Sequence, residues 1–324
     1  MFEISGSSEG AATDDPSEVD SDVGAGRYAP SPTGELHLGN LRTALLAWLF
    51  ARSTGRRFLL RIEDLDRTRV RPGIAKQQLA DLAALELTFD GEPILQSQRL
   101  TAYEEALASL ADSTYECFCS RREIAEAASA PHGTVGRYPG TCRDLNKVQR
   151  TARRRTRRPA LRLRADGARQ TIRDVLHGEI TVEVDDLVLR RNDGVPAYNL
   201  AVVVDDAYSH IDQVVRGDDL LPVAAGQAFL AQLLGYPPPI YAHVPLAVNG
   251  EGRRLAKRDG AVTLTQLAAE GVEPHAARQL MAESLDLAAP GQHVTLESML
   301  ERFDPARLPR QSWVVVPRRT GLGF

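Results

Sequence analysis

The sequence predicts an α/β fold built around a parallel sheet. Three observations carry that expectation. Arg27 to Glu63 reads strand, helix, strand, at the length a crossover unit needs. Acids gather at the carboxyl end of the second strand, at Glu63, Asp64 and Asp66, where ligands collect in such sheets. The 324 residues, 43% hydrophobic and 25% charged, have an ordinary globular composition, with room for about two domains of ~150 residues. The same figures exclude collagen-like, coiled-coil and wholly disordered chains. The longest apolar run, Thr43 to Ala51, falls far short of the ~18 residues that a membrane span needs. No basic-then-apolar leader opens the chain, so the expected compartment is the cytoplasm.

Taken in order, residues 1–24 hold seven acids and no Lys or Arg. They lack apolar surface to offset ordering entropy, so they read as a disordered acidic leader. Without those seven charges the chain's net charge of -4 becomes +3. Arg27 to Ala29 reads as a short buried strand broken by Pro30-Ser31-Pro32. A turn over residues 34–39 leads to Asn40, placed to cap a helix whose apolar positions are Leu41, Ala44, Leu45, Trp48 and Leu49. Gly55 suits the stop of that helix, and residues 57–63 form the second strand.

Residues 73–89 and 99–112 read as amphipathic helices. From Cys117 to about Pro159 the chain is punctuated by Gly and Pro, as an insertion would be, and residues 160–195 alternate as strands do. Leu200 to Val204 is a continuous apolar run ending in Asp205-Asp206, the pattern of a buried parallel strand. A helix follows over Gln227 to Leu234. Asn249-Gly250 marks a tight turn before the basic loop Arg253 to Arg258, and residues from Thr265 onward are mostly helical. The boundaries expected from this pass are a leader to residue 24, a first catalytic half over 25–116, an inserted module over 117–195, a second half over 196–264 and a helical region over 265–324.

Four constellations carry chemistry. Cys117, Cys119 and Cys142 are too few and too close for a disulfide framework, and suggest thiolate ligands of a metal. Zinc takes four ligands, which leaves one position open: His132 is the first choice by general chemistry and Tyr138 the less usual one. Eight arginines (150, 153, 154, 155, 157, 158, 162 and 164) fall within fifteen residues and favour a phosphate-rich partner. The loop from Arg27 to Asn40 ends at a helix N-terminus and forms an anion site, to which His37 adds a donor and Gly39 close backbone approach. Arg254, Lys257 and Arg258 make a basic loop able to stabilise a phosphoryl transition state.

Together these segments resemble the class I aminoacyl-tRNA synthetases, in their glutamyl branch. The resemblance spans about residues 26–265. It rests on Arg27-Tyr-Ala-Pro-Ser-Pro-Thr-Gly34, His37-Leu-Gly-Asn40 in the place of the HIGH signature, and Leu60-Arg-Ile-Glu-Asp64 with Asp66-Arg67. It continues through Tyr198, Val202-Val-Val-Asp-Asp206 and Arg216-Gly-Asp-Asp219, and closes with Arg254-Leu-Ala-Lys-Arg258 in the place of KMSKS. Asn40 stands where HIGH ends in His, and Ala256 and Arg254 stand where KMSKS has its Ser and first Lys. Within the branch the chain is most similar to the glutamyl-Q tRNA(Asp) synthetases, because only about 60 residues follow the second signature and the cysteines are arranged as in that group's zinc site.

The resemblance implies a Rossmann-type parallel sheet with an inserted zinc-bearing module resembling an acceptor-binding domain, and a short helical C-terminal region. It implies tRNA-independent activation of L-glutamate with ATP and Mg2+, then transfer of glutamate to the queuosine base at the wobble position of tRNA(Asp). His37 and Lys257 would be the catalytic pair. Arg27, Ala29, Ser31, Glu63, Tyr198 and Arg216 would bind glutamate. His37, Gly39, Asn40, Arg254 and Lys257 would bind ATP. Zinc would be held by Cys117, Cys119, Tyr138 and Cys142, with tyrosine as the fourth ligand. The arginine run would grip the tRNA backbone, and the protein would act as a monomer, away from membranes. Two other readings share these residues: a truncated glutamyl-tRNA synthetase charging the tRNA 3' end, and a non-catalytic paralogue that binds tRNA.

Overall fold

The computed structural model describes residues 23–128, 137–255 and 262–315. The acidic leader up to residue 22, His132, and the loop residues Ala256, Lys257 and Arg258 lie outside the described residues. The chain begins with strand β1 (Ala25–Tyr28), crosses over through helix α1 (Leu38–Arg52) and returns in β2 (Arg57–Ile62). β1 and β2 pair in parallel with Arg27 opposite Leu59. Helix α2 (Ile74–Ala84) leads to the short β3 (Ile94–Leu95), and α3 (Leu100–Ser109) follows.

The next stretch splits between two sheets. β4 (Thr114–Cys117), β5 (Ala160–Leu163) and β8 (Val188–Arg190) form a small antiparallel sheet that carries α4 (Arg121–Ala128) and α5 (Lys147–Arg154) between its first two strands. The hairpin β6 (Arg169–Asp174) and β7 (Gly178–Glu183) joins the large sheet instead. After α6 (Tyr198–Tyr208), the chain adds β9 (Ile211–Gly217), α7 (Leu221–Leu233) and β10 (Ile240–Val244). The large sheet runs β3-β2-β1-β9-β10-β6-β7 and is parallel except for β7. β11 (Ala247–Val248) pairs with β12 (Trp313–Val314), and helices α8 (Leu264–Ala269), α9 (Pro274–Glu283) and α10 (Leu296–Arg302) fill the C-terminal region.

Two local readings change. The run Leu200–Val204, expected as a strand, lies inside α6, where Leu200 through Asp206 are all buried. A short run of buried apolar residues has no period that separates strand from helix, and packing against α3, α7 and β8 overrides the β preference of the three valines. The cap of α1 is His37 rather than Asn40: Asn40 occupies the third helical position and closes a reciprocal capping box with His37.

The main core binds the halves together. α1 is buried on nearly every face, with Leu41, Leu45, Leu49 and Phe50 packed against β1, β2 and the C-terminal helices. Phe50 meets Phe303 edge to face at 5.1 Å. Among the described residues no helix is long and apolar enough to cross a membrane.

Candidate active site

Strand order reverses direction from β1, which neighbours β2 on one side and β9 on the other. In open α/β sheets this switch point leaves a crevice at the carboxyl ends of the strands. A cleft of about 800 Å³ lies there. Arg27, Ala29, Ser31, His37, Gly39, Asn40, Glu63, Tyr198, Arg216 and Arg254 all line it. The structure thus brings together every expected glutamate and ATP residue except Lys257, which falls outside the described residues. On either side of it in the chain, Leu255 lines the cleft and Val262 accepts a hydrogen bond from the Leu38 amide at 2.9 Å. A β-bridge joins His37 to Thr263. The first signature segment therefore meets, through its backbone, the residues that follow the second one.

Each side chain is placed by a specific partner. The His37 imidazole accepts from the Asn40 amide through Nδ1 at 3.3 Å, which fixes the ring at the start of the helix, beside the cleft. Asn40 thus serves the position it occupies by fixing the histidine before it. Gly39 is required by packing: a Cβ there would lie 2.9 Å from the Ala247 Cβ and 3.1 Å from the His37 ring. The close approach at Gly39 is made by those two neighbours.

A buried charge network forms the floor. Asp206 Oδ1 accepts from Arg27 Nε at 3.2 Å and from an Arg61 terminal nitrogen at 2.5 Å. The other Arg61 terminal nitrogen reaches Glu63 at 3.3 Å. Burial disfavours the charged form of both acids. The neighbouring Arg27 and Arg61 nevertheless hold the Asp206 carboxyl below the usual carboxylate range. For Glu63 burial wins and its pKa is raised, although Arg61 and Arg27 oppose the shift. A carboxylate left without a full partner in a dry site gains most from a cation arriving with a ligand. Asp205, one residue earlier and so on another face of α6, binds Arg99, Gln96 and Tyr103. That second cluster fixes α3 against α6.

Arg216, 5% exposed, enters from β9. It pairs with neither Asp218 nor Asp219, and Asp219 is instead engaged by Arg254 at 2.5 Å. Its partners are His243, Gln227 and the Leu220 carbonyl, with the Tyr198 hydroxyl at 3.4 Å. Asp206, Arg61, Gln227, His243 and Asp174 were not singled out as site residues from the sequence. The pair Asp205-Asp206 stood in a motif without an assigned role, and a lone histidine in an apolar strand carries no signal of its own.

The cysteines converge at the far end of β4. The three Sγ atoms lie within 4.8 Å of one another, with Cys119 and Cys142 3.6 Å apart. The Tyr138 hydroxyl sits 3.3 Å from Cys117 Sγ and 3.8 Å from Cys119 Sγ. Zn–S bonds of ~2.3 Å place tetrahedral sulfurs about 3.8 Å apart, so this donor set fits a zinc ion. Burial pushes the Cys119 thiol up to about 12, with the neighbouring Cys117 adding to it. A site that gathers thiols against this cost matches a cation better than it matches three inert thiols. The arginine run divides around it. Arg162 stacks on the Tyr138 ring at 3.9 Å and Arg153 reaches Cys142 Sγ at 3.6 Å. Arg154, Arg157 and Arg164 are engaged by Glu116, Glu123 and Asp144. Arg150, Arg155 and Arg158 are exposed and have no partner among the described residues.

The sheet, its switch-point cleft and the signature residues His37, Asn40 and Arg254 lining that cleft define a class I aminoacyl-tRNA synthetase catalytic domain. Residues 25–317 match the family model "tRNA synthetases class I (E and Q), catalytic domain". The chain is 60% identical over 295 residues to a glutamyl-Q tRNA(Asp) synthetase of Nocardia farcinica, covering 90% of this chain and 93% of that one. It is 53% identical to the protein of the same name from Cutibacterium acnes, over 81% of this chain and 76% of the other. A glutamate tRNA ligase from Elizabethkingia meningosepticum, solved in complex with its amino acid, superposes with a TM-score of 0.75 at 27% identity, covering 90% of this chain and 66% of that chain. The chain belongs to the glutamyl-Q tRNA(Asp) synthetase family, and is a ligase.

Proposed function

We propose that the cleft activates L-glutamate with ATP in the absence of tRNA, then transfers glutamate to the queuosine base at the wobble position of tRNA(Asp). The observation that carries this reading is the juxtaposition, in one cleft, of two buried guanidiniums, an incompletely paired carboxylate and a helix N-terminus capped by histidine. An amino acid with two carboxylates and one ammonium matches that set. Glu63 takes the ammonium by a charge-assisted contact. Arg216 takes a carboxylate with its planar fork, assisted by Tyr198, and Arg27 takes its share from a position that Asp206 fixes. Ala29 and Ser31 shape the wall between them.

ATP lies with its phosphates toward His37, Gly39 and Asn40, where the helix dipole and amides favour anions. Arg254 approaches from the opposite side of the cleft, Lys257 would supply a second cation to the phosphates, and Mg2+ accompanies the nucleotide. An α-carboxylate oxygen of glutamate attacks the α-phosphorus. A new P–O bond forms, the bond to the bridging oxygen breaks and pyrophosphate leaves with its electrons. The resulting glutamyl-adenylate then loses AMP when a ring hydroxyl of queuosine attacks the acyl carbon. No group of the protein becomes covalently attached. Its contribution is orientation and stabilisation of charge on the pentacoordinate phosphorus. Cys117, Cys119, Cys142 and Tyr138 would hold zinc as a structural crosslink between β4 and the segment before α5.

The names of relatives at 60% and 53% identity support the queuosine-directed transfer, and the solved relative bound to its amino acid supports glutamate recognition. The test is to incubate the protein with labelled glutamate, ATP and bulk tRNA, digest with nuclease and locate the label. Label on the wobble nucleoside is expected. Label on the terminal adenosine would make the protein a short tRNA-charging enzyme, and no label together with no exchange would make it a binding paralogue.

A further inference from the structure

We propose that His243, held by Asp174, is a positioning residue that aims the Arg216 guanidinium into the cleft and thereby sets the affinity for glutamate. This rests on Arg216 being the carboxylate ligand proposed above. His243 lies on β10 directly opposite Arg216 on β9 in the parallel ladder. Neighbours at matched positions of adjacent strands project to the same face. His243 is fully buried, and its Nε2 stands 3.0 Å from Arg216 Nε. Arginine only donates hydrogen bonds, so Nε2 is the lone-pair nitrogen of a neutral ring. The ring proton is then on Nδ1 and is donated to Asp174 Oδ2 at 2.6 Å. Asp174 is clamped in turn: it accepts from the backbone amides of His243, Leu176 and His177.

The other edges of the guanidinium are also assigned. One terminal nitrogen donates to Gln227 Oε1 at 2.7 Å, and Gln227 is itself oriented by donating to Asn199. The second meets the Leu220 carbonyl at a long 3.4 Å, and the Tyr198 hydroxyl stands at a similar 3.4 Å from the first. The strong restraints therefore sit at Nε and at Gln227, and the two weak contacts mark the edge that a ligand carboxylate can take over. Loss of the Nε acceptor frees the fork to turn about its terminal bond. A bidentate contact that depends on that plane then weakens. A histidine serving only as filler would not need an aspartate buried beside it, since an apolar residue avoids that desolvation cost.

The test compares full-length variants in glutamate-dependent ATP–pyrophosphate exchange, each checked for cooperative urea unfolding. In H243Q the amide oxygen can stand in for Nε2. H243N and H243L both remove the acceptor from Arg216. H243N or H243L is expected to raise the KM for glutamate about tenfold or more, the loss expected for a hydrogen bond to a charged group. The KM for ATP stays within about twofold, and H243Q recovers most of the glutamate affinity. An unchanged glutamate KM in the folded H243N or H243L protein overturns the proposal, as does an equal loss in H243Q. Failure of all three variants to fold assigns His243 to the core and also overturns it. R216A separates this proposal from the reading beneath it: if R216A leaves the glutamate KM unchanged, Arg216 is not the ligand; if R216A raises it while H243N and H243L do not, only the positioning role fails.

Discussion

At the scale of single residues, the cleft is governed by how a few buried charges are paired. Glu63 is the acid whose pKa burial raises, so it is the one that a substrate ammonium relieves. E63Q keeps the shape and removes the charge; it should raise the glutamate KM about tenfold or more with the ATP KM little changed, read by pyrophosphate exchange. Asp206 differs, because it satisfies Arg27 and Arg61 at once. D206N leaves the buried Arg27 guanidinium without a carboxylate and weakens the pairing of Arg61, and should cost about 3–5 kcal/mol in urea unfolding. Arg27 and Glu63 were legible in the sequence because each sits in a local motif. Asp206 as their partner was not, because Arg27 and Asp206 are 179 positions apart and only the sheet brings them together. His243 was illegible for the same reason: its partners are Asp174 and Arg216, each on another strand.

At the scale of elements, the sequence located α1, α2, α3 and the strands β1 and β2 to within about five residues, with Gly55 and Pro30 marking the ends of α1 and β1. It failed at α6, where burial on every side erased the period. That error matters for the site, since in a helix Asp205 and Asp206 point to different faces and serve different partners, Arg99 and Arg27, with Arg61 lying between the two acids. In a strand they would also have diverged, but Tyr198 would not have begun the element at the cleft. The arginine run was legible as charge, whereas its division of labour was not. The triple variant R150A/R155A/R158A spares the arginines engaged with Tyr138, Cys142 and the nearby acids. It should lower the magnitude of the slope of log affinity for tRNA against log salt by about 2–3, near 0.7–0.9 per lost phosphate contact. An unchanged slope would remove α5 and its following turn from the tRNA surface. With zinc held as proposed by Cys117, Cys119, Cys142 and Tyr138, a strong chelator should loosen the segment from Cys117 to Cys142, seen as faster proteolysis there, while residues 25–62 stay protected.

At the scale of the whole molecule, the switch point between β1 and β9 decides where the site lies, and the bridge from His37 to Thr263 ties the C-terminal region to the start of α1 beside it. The parallel architecture followed from one strand-helix-strand unit; the hairpin β6–β7 that completes the sheet did not, because it falls within residues 117–195, expected as one inserted module, and alternates as β5 and β8 of the small sheet do. Stability also carries a signature of the buried histidine. Burial lowers the pKa of His243, with Arg216 and His177 acting in the same direction and Asp174 opposing. Its folded form therefore resists protonation that the unfolded chain accepts below about pH 6.5. Stability that His243 contributes is complete above that pH and is lost as the pH falls toward the lowered value. H243Q should flatten that part of the urea-midpoint curve below about pH 6.5. Glutamate-dependent ATP–pyrophosphate exchange without any tRNA tests the central claim most directly. Exchange that needs glutamate, proceeds in tRNA-free protein and disappears in H37A is the expected result. Exchange that begins only when tRNA is added, or that another amino acid supports equally, would contradict it.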